Sequence, residues 1–289
     1  MKMRLMLLTI FFAFAMSGLA DSTINESNKY AYAANAGWIN CRGDVTNGAV
    51  IGEFVCSNYL YGANIGWIHL GDGNPTNGYQ YSNISASDYG VNHDGQGNLR
   101  GYAWAGNIGW IVFETNGAPT IDLQTGILSG YAWGGNIGWI SLSNAQAYVL
   151  TDTINTGPDL DTDGIPDMWE YQQTDGTNTL GAGHDEDEDG VLDVNEYVAG
   201  TDPQNSNDYL RITQIAVTSS TNAQLTWASD QTRLYRIDKS GSLTNAAGWM
   251  DSGLGLQSPD AGSTTTKTAP GEVATQRFFR VKAVRPRSE

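Results

Sequence analysis

The sequence predicts a mainly β protein in three parts: an N-terminal all-β repeat domain of β-hairpin units, an acidic linker with short helices, and a C-terminal β-sandwich. One aromatic phrase occurs four times in the first half, acidic residues dominate the middle, and short β-patterned runs follow. A phrase repeated this closely indicates one structural unit used several times. The expected boundaries are 1–20 for a leader, 22–150 for the repeat domain, 151–207 for the linker and 208–289 for the sandwich.

The first twenty residues, MKMRLMLLTIFFAFAMSGLA, have the layout of a secretory signal peptide. Lys2 and Arg4 form a positive start, an apolar run follows, and the small residues that end at Ala20 suit cleavage after it. We therefore expect an exported protein that is secreted, held on the cell surface or kept in the periplasm. An uncleaved membrane anchor is the alternative, but the apolar run is short for a span. No stable membrane insertion is expected after cleavage.

The repeated phrase reads as strand, tight turn, strand. Its copies are YAYAANAGWI from Tyr30, YLYGANIGWI from Tyr59, YAWAGNIGWI from Tyr102 and YAWGGNIGWI from Tyr131. In each copy, β-forming residues flank a turn signal, as in a β-hairpin. The first two copies have Ala-Asn at the turn, a poorer fit to positive φ, so a longer turn is possible there. The interval between the second and third copies is the longest, which indicates an insertion in the stretch GDGNPTNGYQYSNISAS.

A two-residue loop at Gly135-Asn136 would set the register of the fourth hairpin. Trp133 would then lie opposite Gly138, and Ala132 opposite Trp139, so that each ring covers a small partner. Apolar side chains would occupy both faces of the sheet, and such a sheet is covered on both faces. We therefore expect the rings to pack in the core of a sandwich or a short rolled stack.

A glycan-binding surface is the alternative use of the repeated rings. Trp and Tyr combine a large apolar face with a polar edge, which suits stacking on a pyranose. The candidate glycan contacts are Trp67, Trp110 and Trp139, one from each of the last three copies. Exposed rings would favour this alternative, and buried rings would favour packing in the core.

Two cysteines, Cys41 and Cys56, lie in neighbouring repeats. In an exported protein they meet an oxidising compartment, and their placement predicts a disulfide that joins the two repeats. Closing a loop of this size is worth roughly 3 kcal/mol if the bond is unstrained.

The formal net charge of −16 is concentrated in the linker. Residues 152–208 carry sixteen acidic side chains and no Lys or Arg. Such a charge argues against nucleic acid and anionic membranes as partners. Most of the positive charge lies after residue 208.

Two stretches of the linker, DLDTDGIPDMWE and DEDEDGVLDVNE, share the pattern D-x-D-x-D-G-x5-E. The pattern supplies hard oxygens at alternate positions, a glycine for the sharp turn, a backbone carbonyl at position 7 and a closing Glu, as calcium requires. A merely solvated acidic linker would not place the glycine and the Glu at the same offsets twice. We therefore predict about two calcium ions. The predicted ligands are Asp159, Asp161, Asp163, Ile165, Asp167 and Glu170 in the first loop, and Asp185, Asp187, Asp189, Val191, Asp193 and Glu196 in the second.

These loops, with NEYVAGTDP after the second, resemble the bacterial thrombospondin type 3 repeat family over residues 158–205. The resemblance implies a calcium-binding spacer between domains of an exported protein. The first loop departs from the family pattern, because QQTDGTNTLGAGH replaces the EYxxGTDP tail. Dockerins also pair two such loops, but the long helices of a dockerin are not evident in this sequence. The phrase GYAWxxNIGWI resembles a repeat of secreted, uncharacterised bacterial proteins, and that resemblance implies no activity.

Short β-patterned runs separated by turn residues follow residue 208, among them LRITQIAVTS, AQLTWAS and QRFFRVKAV. Their spacing predicts a β-sandwich of about 80 residues. Together with LYRIDKSGSLTNAAGW, they resemble the immunoglobulin- or fibronectin-III-like domains that end many exported bacterial proteins.

The sequence contains no nucleophile elbow, phosphate loop or zinc motif. The three histidines, His69, His93 and His184, have no catalytic partner that the sequence identifies. The carboxylates of the β domain show no spacing that favours a glycosidase pair. We therefore expect no enzyme, but an exported structural or adhesive surface protein with a joint that calcium stiffens. Its expected partners are calcium and a polysaccharide or another surface protein, and a secreted glycan-binding protein is the alternative function.

Overall fold

The computed structural model describes residues 21–177, 179–218, 222–244, 248–270 and 277–288. The predicted signal peptide, residues 1–20, lies outside the described residues. The protein is mainly β, as the sequence predicts, with 42% of residues in strands and 6% in two helices. Within the described ranges, no helix has both the length and the apolar character needed to cross a membrane.

Strands β1 to β14 form the N-terminal unit, two helices follow, and strands β15 to β20 form the C-terminal unit. The N-terminal strands are β1 Ile24–Ala33, β2 Gly37–Asn40, β3 Val50–Ile51, β4 Cys56–Ser57, β5 Tyr59–Gly62, β6 Gly66–His69, β7 Val91–His93, β8 Leu99–Ala105, β9 Gly109–Phe113, β10 Thr120–Ile121, β11 Ile127–Ser129, β12 Tyr131–Gly134, β13 Gly138–Ser141 and β14 Val149–Thr151. The other elements are α1 Asp167–Thr174, α2 Asp193–Ala199, β15 Ile212–Val217, β16 Asn222–Ala228, β17 Leu234–Ser240, β18 Met250–Gln257, β19 Thr264–Pro270 and β20 Phe278–Val284.

Eight strands of the N-terminal unit close into an antiparallel barrel. Hairpins 1 to 4, which are β1–β2, β5–β6, β8–β9 and β12–β13, follow one another around it, and β13 pairs back to β1. The interior of an eight-stranded barrel is just wide enough for side chains to fill. Small and aliphatic side chains fill it here, and all are buried: Ala31, Ala33, Ile39, Leu60, Ile68, Ala103, Ala105, Ile111, Ala132 and Ile140.

Each hairpin turns through three residues that are followed by a glycine in the left-handed region. In hairpin 4, the Ile137 N–H donates to the Gly134 carbonyl at 3.1 Å, and Gly138 follows with a φ of +78°. The loop is therefore longer than two residues, and the glycine after it adopts the left-handed conformation without steric strain. The equivalent glycines of hairpins 1 to 3 have φ between +80° and +83°; they are Gly37, Gly66 and Gly109.

The asparagine of each turn joins its hairpin to the neighbouring hairpin around the barrel. Its side-chain amide donates to a turn carbonyl of that neighbour, so that the four bonds form a ring at the turn end of the barrel. The bonds run from Asn35 to Ile137 (3.2 Å), from Asn64 to Ala36 (3.0 Å), from Asn107 to Ile65 (3.1 Å) and from Asn136 to Ile108 (2.9 Å).

The predicted register of the hairpins is wrong by one residue. Trp133 lies opposite Trp139 rather than Gly138, and Ala132 lies opposite Ile140. Opposed residues of an antiparallel pair share a face, so both indoles lie on the outside and the aliphatic side chains lie inside. The prediction that the rings pack in the core is therefore wrong: Trp133 is 41% exposed and Trp139 is 46% exposed.

The predicted disulfide is not formed, because Cys41 and Cys56 are both free thiols in this structure. Each side chain is buried in the hydrophobic core of the N-terminal unit. Cys56 lies opposite Ile51 in the short pair β3–β4, whereas the backbone N–H of Cys41 donates to the Lys29 carbonyl. Burial raises the pKa of each thiol to about 12, which keeps both protonated and inert.

The acidic segment, residues 158–205, packs against the N-terminal unit. Its helices are short, with eight residues in α1 and seven in α2. They lie over a hydrophobic cluster that includes residues of the β3–β4 turn and of the loop after β6. The buried members of this cluster are Phe54, Val55, Tyr81, Ile165, Met168, Trp169, Leu180 and Tyr197.

The C-terminal unit contains two three-stranded antiparallel sheets, β15-β16-β19 and β18-β17-β20. Leu225 and Trp227 from the first sheet share a buried cluster with Tyr235 and Ile237 from the second. This shared cluster holds the two sheets of the C-terminal unit together.

His93 lies on β7 and is 1% exposed, although its sequence neighbours favour a turn. Its Nδ1 lies 2.9 Å from the Gly52 carbonyl, and its Nε2 accepts the Gly97 N–H at 3.1 Å. These two bonds fix a neutral imidazole that carries its proton on Nδ1. Burial is the main cause that lowers the pKa of His93.

We expect Gly138→Ala to destabilise the barrel by about 1–2 kcal/mol, because an L-residue is strained in the left-handed region. Gly135→Ala is the matched control, since Gly135 does not have a positive φ and an added Cβ there meets no atom within 4 Å. Urea unfolding monitored by tryptophan fluorescence measures both. Equal stability of the two variants would contradict the turn geometry.

We expect the contribution of His93 to stability to fall as the pH drops below about 6.5, the ordinary pKa of histidine. Below that value the unfolded chain binds a proton that the folded chain, with its lowered His93 pKa, does not bind. The His93 contribution is therefore lost on the acid side, at up to about 1.4 kcal/mol per pH unit. Urea unfolding at several pH values should show a flatter acid slope for His93→Gln than for the wild type. Identical slopes would exclude His93 as the cause.

Candidate metal centres and an exposed aromatic surface

The two loops of the acidic segment share one backbone conformation. The fourth residue of each loop is left-handed, with a φ of +62° at Thr162 and +60° at Glu188. The sixth residue is a glycine, with a φ of +94° at Gly164 and +95° at Gly190. Glycine adopts this conformation without steric strain, so the glycine of the D-x-D-x-D-G pattern is what permits the turn.

The first aspartate of each loop holds this turn closed. Asp159 accepts the Asp163 N–H at 3.2 Å with one carboxylate oxygen and the Gly164 N–H at 3.0 Å with the other. Asp185 makes the equivalent bonds at 3.1 and 2.9 Å. In each loop, the carboxylates at positions 1, 3 and 5 bring one oxygen apiece to within 4.8 Å of one another. Like charges this close repel each other unless a cation lies among them.

The closing glutamates, Glu170 and Glu196, are fully buried. Both carboxylate oxygens of Glu170 and the Oε2 of Glu196 have no hydrogen-bond partner, and neither has the Oδ2 of Asp163, Asp187 or Asp189. Burial, and after it the loop aspartates, raise the pKa of Glu170 to about 7 and that of Glu196 to about 8. Buried carboxylates of this kind are normally paired or coordinate a metal.

The ninth-position aspartates bond to the backbone and fasten each loop to its helix. Asp167 begins α1 and accepts the Leu160 N–H at 3.0 Å. Asp193 begins α2 and accepts the N–H groups of Glu186 and Gly181, both at 3.0 Å. Both oxygens of Asp193 are therefore engaged, which makes it a positioning residue for the loop.

The remaining oxygens suit a hard divalent cation. Each loop offers three aspartate carboxylates and a buried glutamate, together with the backbone at position 7. The backbone N–H at position 7 holds the aspartate at position 5: Ile165 donates to Asp163 at 2.8 Å, and Val191 donates to Asp189 at 2.8 Å. Calcium takes six to eight oxygen ligands in a flexible geometry, and the donor set of each loop fits that requirement.

A cluster of charged side chains joins all three parts of the chain next to the second loop. Glu53 of the N-terminal unit accepts a hydrogen bond from the Tyr197 hydroxyl at 2.9 Å and lies 3.2 Å from Arg233 of the C-terminal unit. Arg233 also donates to the carbonyls of Tyr197 (2.6 Å) and Val198 (3.1 Å) at the end of α2. A cation at the C-terminus of a helix is favourable. Arg285 of the C-terminal unit lies 3.9 Å from Glu53. We call Glu53, Tyr197, Arg233 and Arg285 the junction cluster.

The outside of the barrel carries an aromatic belt. Every hairpin contributes rings to it, and each of these rings is between 37% and 47% exposed. Soluble proteins rarely expose apolar side chains in this number on one surface without a binding role. The belt consists of Tyr30, Tyr32, Trp38, Tyr61, Trp67, Trp104, Trp110, Tyr131, Trp133 and Trp139.

The rings pair across each hairpin, edge-on in hairpins 1, 3 and 4 and tilted in hairpin 2. Such pairs hold their geometry and leave part of each ring face to solvent. The centroid separations are 4.9 Å for Tyr32–Trp38, 4.8 Å for Tyr61–Trp67, 4.7 Å for Trp104–Trp110 and 4.9 Å for Trp133–Trp139.

The candidate glycan contacts Trp67, Trp110 and Trp139 occupy equivalent places in hairpins 2 to 4. Trp67 and Trp139 each cover a loop glycine, so close that a Cβ at Gly43 or Gly117 would come within 3.1 Å of the indole. The sequence reasoning did not include the remaining rings of the belt. The sequence feature that could have identified these rings is the alternation of aromatic residues with small or aliphatic residues along the strands of each hairpin.

No protein-family model, curated protein or solved structure matches this chain.

Proposed function

We propose that the protein is an exported, non-catalytic adhesive that binds an uncharged polysaccharide through the aromatic belt, with calcium stiffening the joint next to it. The observation that carries the proposal is the exposure of equivalent rings on all four hairpins. Rings needed for the core would be buried, whereas the core of this barrel is filled by Ala, Ile and Leu side chains.

A carbohydrate suits the chemistry of the belt better than an aliphatic partner does. Indole and phenol rings offer an apolar face together with a polar edge. The residues beside them on the outer face are largely polar, among them Asn40, His69 and Ser141. A net charge of −16 disfavours an anionic polymer, which leaves an uncharged glycan.

A surface protein as the partner is the second candidate. It is favoured by the area of the belt, because protein interfaces are enriched in Trp and Tyr. The belt curves around a closed barrel, however, and so presents its rings in several directions. A flat partner surface reaches only part of such a belt, whereas separate sugar chains reach all of it.

Calcium is proposed as the cofactor of both loops of the acidic segment. The buried and unpartnered oxygens of Glu170 and Glu196 support this assignment, as does the resemblance of residues 158–205 to the thrombospondin type 3 family. Asp159, Asp161, Asp163 and the Ile165 carbonyl would complete the first site. Asp185, Asp187, Asp189 and the Val191 carbonyl would complete the second. When bound, the ion supplies the positive charge that the segment lacks.

The second site is placed to affect the joint. Glu196 and Tyr197 are neighbours on α2, and Tyr197 belongs to the junction cluster. If Glu196 moves towards or away from its loop, Tyr197 therefore moves with it, and Tyr197 contacts Glu53 and Arg233. We also propose that the four hairpins are repeats of one unit and that the C-terminal unit is an immunoglobulin-like sandwich.

Removing the rings of one hairpin should weaken glycan binding. We expect Trp133→Ala combined with Trp139→Ala to reduce affinity for an uncharged polysaccharide about tenfold or more, because Trp truncation at a binding surface often costs 2 kcal/mol or more. Trp249→Ala is the matched control, since Trp249 stacks on Arg280 in the C-terminal unit. Affinity electrophoresis in polysaccharide gels measures both. Equal retardation of all three proteins would argue against the belt as the binding surface.

Calcium should bind to both loops and stiffen the joint. We expect Kd values of about 10⁻⁴–10⁻³ M, typical of extracellular modules, and about 2.7 kcal/mol of stabilisation per site at 100 times Kd. Glu196→Gln should abolish one site in calorimetry and leave α2 open to hydrogen exchange. Glu188→Gln is the charge-matched control, because Glu188 is exposed and is not at a ligand position. Unchanged binding by the Glu196 variant would disprove the assignment of the second loop.

A further inference from the structure

We propose that a groove on hairpin 3, built by the loop between β6 and β7, binds a single ring-sized unit of an uncharged glycan. This inference rests on the proposed function and names the place where the belt selects its ligand. The groove lies between the loop residues Asn83, Ile84 and Ser85 on one side and the rings of Tyr89, Tyr102 and Trp110 on the other. It encloses about 340 Å³, a volume within the range of small-molecule sites.

The aromatic wall of the groove is held in place by its neighbours. The Tyr89 ring meets the Trp110 ring edge-on, at 5.0 Å between centroids and 85° between planes. The Tyr89 hydroxyl lies 2.8 Å from Nδ1 of His69, and the two rings are 5.6 Å apart. A wall fixed in this way loses little conformational freedom when a ligand binds.

The loop wall is also fixed before any ligand arrives. The Asp88 carboxylate accepts the Ser82 N–H at 3.0 Å and the Thr76 N–H at 3.2 Å. The Asn83 side-chain oxygen accepts the Gly90 N–H at 3.0 Å. The side chain of Ile84 lies between these two anchors at the lip of the groove, yet it is 90% exposed. No packing within the described parts of the chain accounts for that apolar side chain.

The lining indicates the chemistry of the ligand. None of the residues that line the groove is charged, so the site offers no ionic partner to a phosphate, a carboxylate or an amine. Trp110 and Tyr102 supply ring faces. The polar groups of the rim are the Ser85 hydroxyl, 3.1 Å from that of Ser87, and the Asn83 amide nitrogen, which also donates to the Tyr81 carbonyl at 3.4 Å. An apolar floor with a polar, neutral rim suits a pyranose, which has one apolar face and a ring of hydroxyls. A protein partner would need roughly 800 Å² on each side, far more than seven lining residues provide.

Hairpin 3 differs from the other hairpins in having this enclosure. Trp67 and Trp139 rest instead on the loop glycines Gly43 and Gly117. Within the described residues, the longer loop after β6 is the only loop that places an aromatic ring, Tyr89, against a belt tryptophan, Trp110. Ala86 lies on the same loop and lines the groove, so that a larger side chain at this position would fill it.

The test compares a blocked groove with a damaged belt in the full-length mature protein. Ala86→Trp fills the groove, and Trp139→Ala removes an equivalent ring on hairpin 4. The probes are short neutral oligosaccharides of glucose, mannose, galactose and N-acetylglucosamine, followed by calorimetry and saturation-transfer NMR. We expect Ala86→Trp to weaken the best oligosaccharide about tenfold or more, equivalent to about 1.4 kcal/mol, which is a larger loss than Trp139→Ala causes. Trp249→Ala, outside the belt, should leave binding within about twofold. Transferred saturation should concentrate on one sugar unit.

Calcium binding and the thermal midpoint report whether Ala86→Trp is folded. If it is not, Ile84→Ser serves instead, because its exposed side chain has no packing role, and we expect it to weaken the same oligosaccharide measurably. If the groove variants and Trp139→Ala weaken oligosaccharide binding equally, the assignment of the groove is wrong, but glycan binding by the belt still stands. Tighter binding of acidic oligosaccharides would overturn the neutral ligand. If the wild type binds no oligosaccharide and no polysaccharide, the proposed function itself fails.

Discussion

The pairing of β13 with β1 closes the sheet, and this closure decides where every ring of the N-terminal unit lies. Tyr32 lies opposite Ser141 and Ala33 opposite Ile140 at the seam, so hairpin 4 continues into hairpin 1 without a free edge. A closed eight-stranded sheet has an interior that holds only modest side chains. Ala and Ile occupy it, and the indoles must therefore lie outside. The exposed belt is a consequence of barrel closure, and the glycan-binding proposal depends on the same seam.

Much of this architecture is readable in the sequence, but the direction in which the rings point is not fixed by composition alone. The repeated phrase predicts the four hairpins, and the paired D-x-D-x-D-G patterns predict two loops whose backbones coincide at Thr162 and Glu188. The turn decides the rest. With a two-residue loop, Trp133 and Trp139 would lie on opposite faces, and both faces would need a cover. With the observed turn they share a face, because a shift of one residue reverses the face of one strand relative to the other. The Asn-x-Gly spacing, which places a glycine where the chain is left-handed just after the turn, was the signal for the longer loop.

The junction cluster could not be predicted from the sequence, because its members are far apart along the chain. Glu53 belongs to the turn between β3 and β4, whereas Arg233 and Arg285 belong to the C-terminal unit. The acidic segment has no Lys or Arg of its own, so its nearest cations must come from another unit or from solution. Arg233 is almost fully buried and caps α2. Leaving such a charge without its partner costs about 3–5 kcal/mol. The contacts of Arg233 therefore hold the three parts of the chain together at this point.

In the adhesive that we propose, the barrel and the acidic segment would contribute different properties. Belt rings are fixed by edge-on pairs and by the ring of asparagine bonds at the turns, so their positions do not depend on calcium. A single open ring platform binds a sugar weakly, and platforms that point in different directions around a barrel engage different chains or different parts of one chain. Linked weak sites gain avidity only when their spacing is maintained. A rigid barrel maintains the spacing within the belt, and a stiff joint would maintain the direction in which the belt faces relative to the C-terminal unit. The acidic loops and the aromatic belt would therefore meet two different requirements of the proposed adhesive surface.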